Sequence, residues 1–329
     1  MCTVMTLKTA DGSCLLGRTM DFSMELNPSV YIVPRNYQWI NARNTAIVSN
    51  PYSFLGTGQE TGGLAFADGV NERGFAAAAL YFPGYASYQE EGTEKGRLPL
   101  AAWELTGFLL GRCETVGQAA ALMDGIALMA VPDEVTGTAA PLHWLIADQS
   151  GRSMVIEPME DGVHITENPV GVLTNSPDFS WHMTNLRNYA GVSPAQPSGV
   201  RWGEADLTPF GQGGGSFPLP GGFTPPARFV RTVFERTHLP VPAGQAEGVM
   251  ACFHVLEGVS IPRGSVKTDQ GGEDYTQYTA VLDTSLGEYF FRSYDSSRIT
   301  RARLTLERAA GRTPVCLGPV KRPASWEEI

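Results

Sequence analysis

The chain opens with two groups that could together cleave an amide. Position 2 is a cysteine preceded by a single methionine. Aminopeptidases remove an initiator methionine when the next side chain is small, so processing would leave Cys2 as the first residue. A terminal cysteine carries a thiol nucleophile. It also carries an α-amine whose ordinary pKa of about 7.7–8.0 suits it to take up the thiol proton. Such a pair needs no separate histidine. The alternative is a small strand residue that stands at position 2 by chance. GRTMDF, residues 17–22, adds Arg18 and Asp21. A guanidinium beside a thiol favours the thiolate, and a carboxylate can hold an ammonium in place. An ordinary surface ion pair is the competing reading. Asn175 stands where the run GVLTNSPDF, residues 171–179, breaks into a Ser-Pro turn. Its side chain either closes that turn or aims its NH₂ at a developing oxyanion. Arg228, in PPARFV, falls in the first turn of a predicted helix. A cation is disfavoured there, which points to a role elsewhere, although surface arginines are common.

These residues need elements to hold them. Residues 2–7 are strand-like, Asp11-Gly12 marks a tight turn, and residues 14–22 form a second strand. Arg18 and Asp21 lie three apart on it, so a regular strand turns them to opposite faces. A bend at its end would bring both near Cys2. Further strands are expected at 30–34, 74–82, 143–147, 153–157, 163–167, 275–283, 288–294 and 299–304. Helical spacing marks 98–110, 116–123, 180–189, 226–236 and 245–256. Thr115 is the expected N-cap of the second of these. Strands come in groups, then helices, then strands again, which predicts an antiparallel α+β layered fold rather than alternating βαβ units. Residues 209–226 are rich in Gly and Pro and are expected to be irregular. The tail beyond Arg312 is expected to be loosely held. No linker divides the chain, so residues 1–329 are taken as one domain.

Composition removes several classes of function. Hydrophobic residues make up 43% and charged residues 18% of 329 residues, a globular balance. The formal charge of −10, with no Lys/Arg run, disfavours nucleic acid. No apolar stretch is long enough to span a bilayer and no secretory signal is present, so no membrane partner and a cytoplasmic location are expected. The five cysteines are scattered with no CxxC pair, and the five histidines form no HExxH. No metal or other cofactor is expected. GxSxG and the phosphate-binding loop are both missing.

Taken together, the runs MCT, GRTMDF, NERGFAAAALYFPGYA, PLHWLIAD, GVLTNSPDF, PARFVR and DYTQYTAV closely resemble the choloylglycine hydrolase family. That family includes bile salt hydrolases and penicillin V acylases. The likeness covers residues 2 to about 300. It implies an N-terminal-nucleophile (Ntn) hydrolase fold, a four-layer αββα sandwich with two antiparallel sheets, assembled as a homotetramer. Residues 190–222 resemble the segment that reaches onto a neighbouring subunit. The resemblance makes Cys2 the nucleophile, with Arg18, Asp21 and Arg228 as the charged groups around it. Asn175 and the backbone N–H of Tyr81 become the oxyanion donors. Met20, Phe66, Tyr81 and Leu142 become the wall of a pocket for a small-molecule amide. Tyr81 stands in ALYFP, the form associated with penicillin V acylases, where bile salt hydrolases tend to carry Asn. Penicillin V, cleaved to 6-aminopenicillanic acid and phenoxyacetate through a thioester, is therefore the first expectation. Conjugated bile salts are the alternative. N-acyl homoserine lactones and a non-catalytic binding protein are more remote readings.

Overall fold

A computed structural model describes residues 1–92, 96–269 and 271–328. The first strands, in chain order, are β1 (Cys2–Lys8), β2 (Cys14–Phe22), β3 (Ser29–Val33), β4 (Tyr37–Ile40), β5 (Ile47–Asn50), β6 (Phe54–Glu60), β7 (Leu64–Asn71) and β8 (Ala76–Tyr81). The middle of the chain adds β9 (Leu98–Ala101), β10 (Ile126–Met129), β11 (Leu142–Ala147), β12 (Ser153–Met159), β13 (Gly162–Glu167), β14 (Val172–Leu173), β15 (Val200–Trp202) and β16 (Ala205–Leu207). The last are β17 (Tyr275–Asp283), β18 (Glu288–Ser293), β19 (Ser296–Arg303) and β20 (Val315–Pro319). The helices are α1 (Leu105–Leu110), α2 (Val116–Met123), α3 (Phe179–Leu186), α4 (Pro225–His238), α5 (Gln245–Glu257) and α6 (Leu306–Ala309).

Two large sheets stack face to face. One runs β14-β1-β2-β17-β18-β19; the other runs β13-β12-β11-β8-β7-β6-β3-β20. Their neighbouring strands pair antiparallel. Helices α4 and α5 cover the outer face of the first sheet, and α1 covers β7 and β8 of the second. This is the αββα order of the Ntn-hydrolase sandwich. Sandwiching a sheet between a second sheet and helices buries both of its faces. The strands β1 and β2 are accordingly buried along almost their whole length. A strand buried on both faces normally reads as a continuous apolar run. Strand β2 departs from that rule: Arg18, Thr19 and Asp21 are all fully buried within it. Polar groups placed there need partners, because an unpaired buried charge is costly.

Thr115 caps α2 by accepting from Gln118 N, as expected. Two expectations need correction. Residues 98–110 do not form one helix. Leu98–Ala101 is the strand β9, paired parallel with β10, and the helical turn starts only beyond it. Pro99 explains this, since it lacks an N–H and keeps Leu98 extended. The tail is also better held than its polarity suggests. Strand β20 adds to the edge of the eight-stranded sheet against β3, and Val320 is buried. Residues 200–207 form a small exposed hairpin. Trp202, Phe210 and Phe217 in this region lie open to solvent. Among the described residues, no helix is long and apolar enough to cross a membrane.

Candidate active site

Cys2 is the first residue of β1, opposite Met20 of β2. Side chains alternate along a strand, so Cys2, Met20 and Arg18 share the face that looks toward the second sheet. The guanidinium of Arg18 donates from Nη2 to Cys2 Sγ at 3.1 Å. Met20 Sδ lies 3.9 Å from the same sulfur. Arg18 also donates from Nη1 to Ala67 O at 3.1 Å and to Asp68 Oδ2 at 3.2 Å. Burial opposes the Arg18 charge, but Tyr278, Cys2 and Asp68 outweigh it and push its pKa above the ordinary value.

The opposite face of the hairpin carries the second charged pair. Asp21 accepts from the hydroxyls of Thr19 at 3.1 Å and Thr276 at 2.6 Å. Arg228, in the first turn of α4 and fully buried, donates from Nη1 to Cys2 O and Thr3 Oγ1, both at 2.6 Å. Its Nη2 donates to Asn175 Oδ1 at 2.7 Å. Asp21 Oδ2 is 3.9 Å from Arg228 Nη1. The structure therefore keeps Arg18 and Asp21 on opposite faces, as strand periodicity dictates. Asp21 meets the Cys2 backbone through Arg228 rather than through a bend in β2. Burial lowers the Arg228 pKa, and Asp21 and Cys2 counter that effect.

Asn175 arrives by a third route. Strand β14 pairs with the outer edge of β1, so Asn175, two residues beyond it, comes alongside Cys2. Gly171 makes the approach possible. Its φ is +60°, and a Cβ there would sit 2.3 Å from Thr6 Oγ1. Asn175 Oδ1 accepts from Cys2 N at 2.8 Å, and Nδ2 donates to Tyr81 O at 2.7 Å. The carboxamide orientation is thereby set, with one N–H of Nδ2 left to serve another acceptor. Tyr81 ends β8. Phe82 N–H bonds across to Pro141 O at 2.7 Å, so the alternation of an antiparallel ladder turns Tyr81 N–H away from β11. The ladder to β7 has already ended at Asp68↔Ala78. The Tyr81 N–H and C=O thus face the same side as the Asn175 amide.

Met20, Phe66, Tyr81 and Leu142 all line one cavity whose floor includes Cys2. Tyr278 and Trp103 line it as well. Every residue singled out for this site except Asp21 touches the thiol, the Asn175 carboxamide or this cavity. Asp21 stands behind Arg228, which holds the Cys2 carbonyl.

Three residues escaped the reading of the sequence. Asp68 pairs with Arg18 but comes from β7, a strand that was not anticipated. His143 and His182 brace the Asn175 segment. His143 Nε2 lies 2.9 Å from Thr174 O, with its ring stacked on Phe82 at 4.2 Å. His182 Nε2 lies 2.8 Å from Asn175 O, stacked on Phe229 at 4.7 Å. Neither histidine belongs to a metal-type motif. The one available signal was the position of His182 on α3, one turn past the Asp178 cap and seven residues from Asn175.

A carbonyl only accepts, so His182 is the tautomer protonated at Nε2. Burial pushes its pKa from 6.5 down to about 4. The unfolded chain therefore binds a proton more readily than the folded one between these values. Stability contributed by the neutral ring is present above pH 6.5 and is lost as pH falls toward 4. The full effect is about 3 kcal/mol at roughly 1.4 kcal/mol per unit. In urea titrations across this window, His182→Phe is expected to lose stability with a slope shallower by about one proton than the parent chain. Equal slopes would remove His182 as the acid-sensitive group.

Family comparison agrees with this geometry. The model of the linear amide C–N hydrolases, choloylglycine hydrolase family, matches residues 2–315. The chain belongs to the choloylglycine hydrolase family of linear amide C–N hydrolases. It is 34% identical over 312 residues to the bile salt hydrolase/transferase of Clostridium perfringens (strain 13 / Type A), covering 94% of each chain. It superposes with a TM-score of 0.92 and 31% identity on the crystal structure of the mutant C2A conjugated bile acid hydrolase from Clostridium perfringens, covering 100% of both chains. The penicillin V acylase of Agrobacterium tumefaciens shares the fold, with a TM-score of 0.78 at 21% identity, over 98% of this chain and 95% of that one.

Proposed function

We propose that this amide hydrolase deconjugates bile salts through a thioester on Cys2, the chain being active once Met1 is removed. The observation that carries the reading is the Cys2 thiol, held at 3.1 Å by the Arg18 guanidinium on the floor of an apolar cavity. A sterol body is a large, rigid apolar acyl group of the kind that such a cavity accepts. The relatives named bile salt hydrolase align over more than nine-tenths of the chain and support this substrate class.

The mechanism follows from the positions. The Cys2 sulfur attacks the amide carbonyl, and its proton passes to the α-amine that processing leaves on the same residue. Asn175 Nδ2 and Tyr81 N–H stabilise the oxyanion. The α-ammonium then returns the proton to the departing glycine or taurine nitrogen as the C–N bond breaks. Water attacks the thioester, and the bile acid leaves. With Met1 in place the ammonium belongs to Met1, which donates to Asp21 O at 2.5 Å. The Cys2 nitrogen is then an amide and cannot act as the base.

Penicillin V, which the Tyr81 run first suggested, becomes the second reading. One observation keeps it: the Tyr81 ring lines the cavity, edge-on to Phe22 at 5.6 Å, where a phenoxy ring could pack. Side-by-side assays separate the two. Release of glycine or taurine from conjugated bile salts is expected to have a kcat/KM at least tenfold above release of 6-aminopenicillanic acid from penicillin V. The reverse order would overturn the proposed substrate while leaving the chemistry intact.

A further inference from the structure

Arg18 has a second partner behind it, away from the thiol. Asp68 of β7 is fully buried and receives three donors. Its Oδ2 accepts from Arg18 Nη1 at 3.2 Å and from Tyr278 OH at 2.8 Å; its Oδ1 accepts from Tyr289 OH at 2.5 Å. Thr57 Oγ1 in turn donates to Tyr289 OH at 2.5 Å. Burial first, and Asp68 next, push both phenols well above 10, so they act as neutral donors. The carboxylate comes from one sheet and the arginine from the other, so this pair is a polar bolt through the interior of the sandwich. A pair buried this deeply is weak evidence for stability alone, because desolvation offsets the attraction. Its position one guanidinium away from the nucleophile suggests a chemical purpose.

The charges that face Cys2 are few. Arg18 and Asp68 stand on the cavity face, with Tyr278 and Tyr289 against Asp68. Arg228 and Asp21 stand on the helix face. Asp274 lies 3.9 Å from the terminal ammonium. Asp133 lines the cavity but is occupied by the N–H groups of Val135 and Thr136. A guanidinium at 3.1 Å with no carboxylate behind it would favour the thiolate more strongly than one paired with Asp68. Such a thiolate is a weaker nucleophile, because nucleophilicity falls as basicity falls.

We propose that Asp68 is a positioning residue for hydrolysis: it fixes Arg18 beside Cys2 and offsets part of the arginine's charge, so that the thiol can exchange its proton with the α-amine. This inference rests on Cys2 being the nucleophile, as proposed above. Asp68→Asn tests it with little change of shape. The Asn oxygen can accept from Arg18 and Tyr278, and its NH₂ can donate to Tyr289, whose own proton turns to Thr57.

The pH profile of iodoacetamide alkylation is read on the peptide that carries Cys2, since exposed Cys316 also reacts. In Asp68→Asn the profile should move about one unit toward lower pH, the low end of the effect of one nearby charge. The kcat at neutral pH should fall several-fold with KM little changed. Asp68→Ser, which removes the same charge and leaves room for water, should move the profile the same way if the Asn variant does not fold. An unmoved profile, or one moved to higher pH, overturns the role of Asp68. Turnover that survives complete alkylation of Cys2 would instead sink the proposed nucleophile, an outcome the profile itself does not depend on.

Discussion

Replacing Cys2 by Ala is expected to abolish amide hydrolysis, with a loss on the order of 10⁵–10⁶ in kcat, the scale seen when the nucleophile of a concerted catalytic set is removed. The fold should survive. Cys2 is buried, but among the described residues the hydrogen bonds of its sulfur are those with Arg18 and Met20, and its backbone bonds to Asn175 and Arg228 remain. Stopped assays on folded Cys2→Ala protein measure this directly. Residual turnover within a hundredfold of the parent would place the nucleophile elsewhere. The same preparation of parent protein should show, by intact mass, the loss of one methionine. Active protein that retains Met1 would rule out the α-amine as the proton carrier, whatever the fate of the thiol.

The second large effect belongs to Arg228. Replacing it with Met keeps most of the volume but removes donors to Cys2 O, Thr3 Oγ1, Asn175 Oδ1 and Phe223 O. It also leaves Asp21 buried with, among the described residues, the hydroxyls of Thr19 and Thr276. Breaking one side of a buried pair costs about 3–5 kcal/mol, and the unfolding free energy from denaturant titration should fall by that amount. Activity in the protein that still folds should drop roughly 10²-fold or more, because the Asn175 carboxamide loses one of the two donors that fix its oxygen. Arg228→Lys should rescue little, since an ammonium cannot span Cys2 O and Asn175 Oδ1 together. A stability within about 1 kcal/mol of the parent would show that the pair is not energetically coupled to the fold.

Much of the site was legible from residue types. Cys2, the Arg18–Asp21 run and Arg228 at a helix start each break a local rule, whereas Asn175 before Ser-Pro reads equally as a turn former. A removable methionine precedes a cysteine. A charged pair sits in an apolar strand, and a cation sits at a positive helix end. Such local conflicts tend to mark function. The apolar pocket residues Met20, Phe66 and Leu142 came only through the family resemblance, since nothing in their own spacing distinguishes them from core. The strands between residues 37 and 71 were missed because their alternation is weak and Gly56, Gly58 and Gly69 interrupt it. That omission hid Asp68. The histidines were set aside because they were sought as ligands or bases, whereas they act by gripping backbone carbonyls.

The division has a physical origin. The sequence alone determined the candidate nucleophile, the charged residues proposed to surround it, the layered α+β class and the family. Those depend on residue chemistry and on periodicities of 2 and 3.6, which are local. Only the tertiary structure decided which face each charge occupies, that Arg18 rather than Asp21 meets the thiol, and that Asp68 crosses from the second sheet to stand behind it. Those depend on how two sheets stack, and stacking joins residues such as Arg18 and Asp68, fifty positions apart, through contacts that no local pattern records.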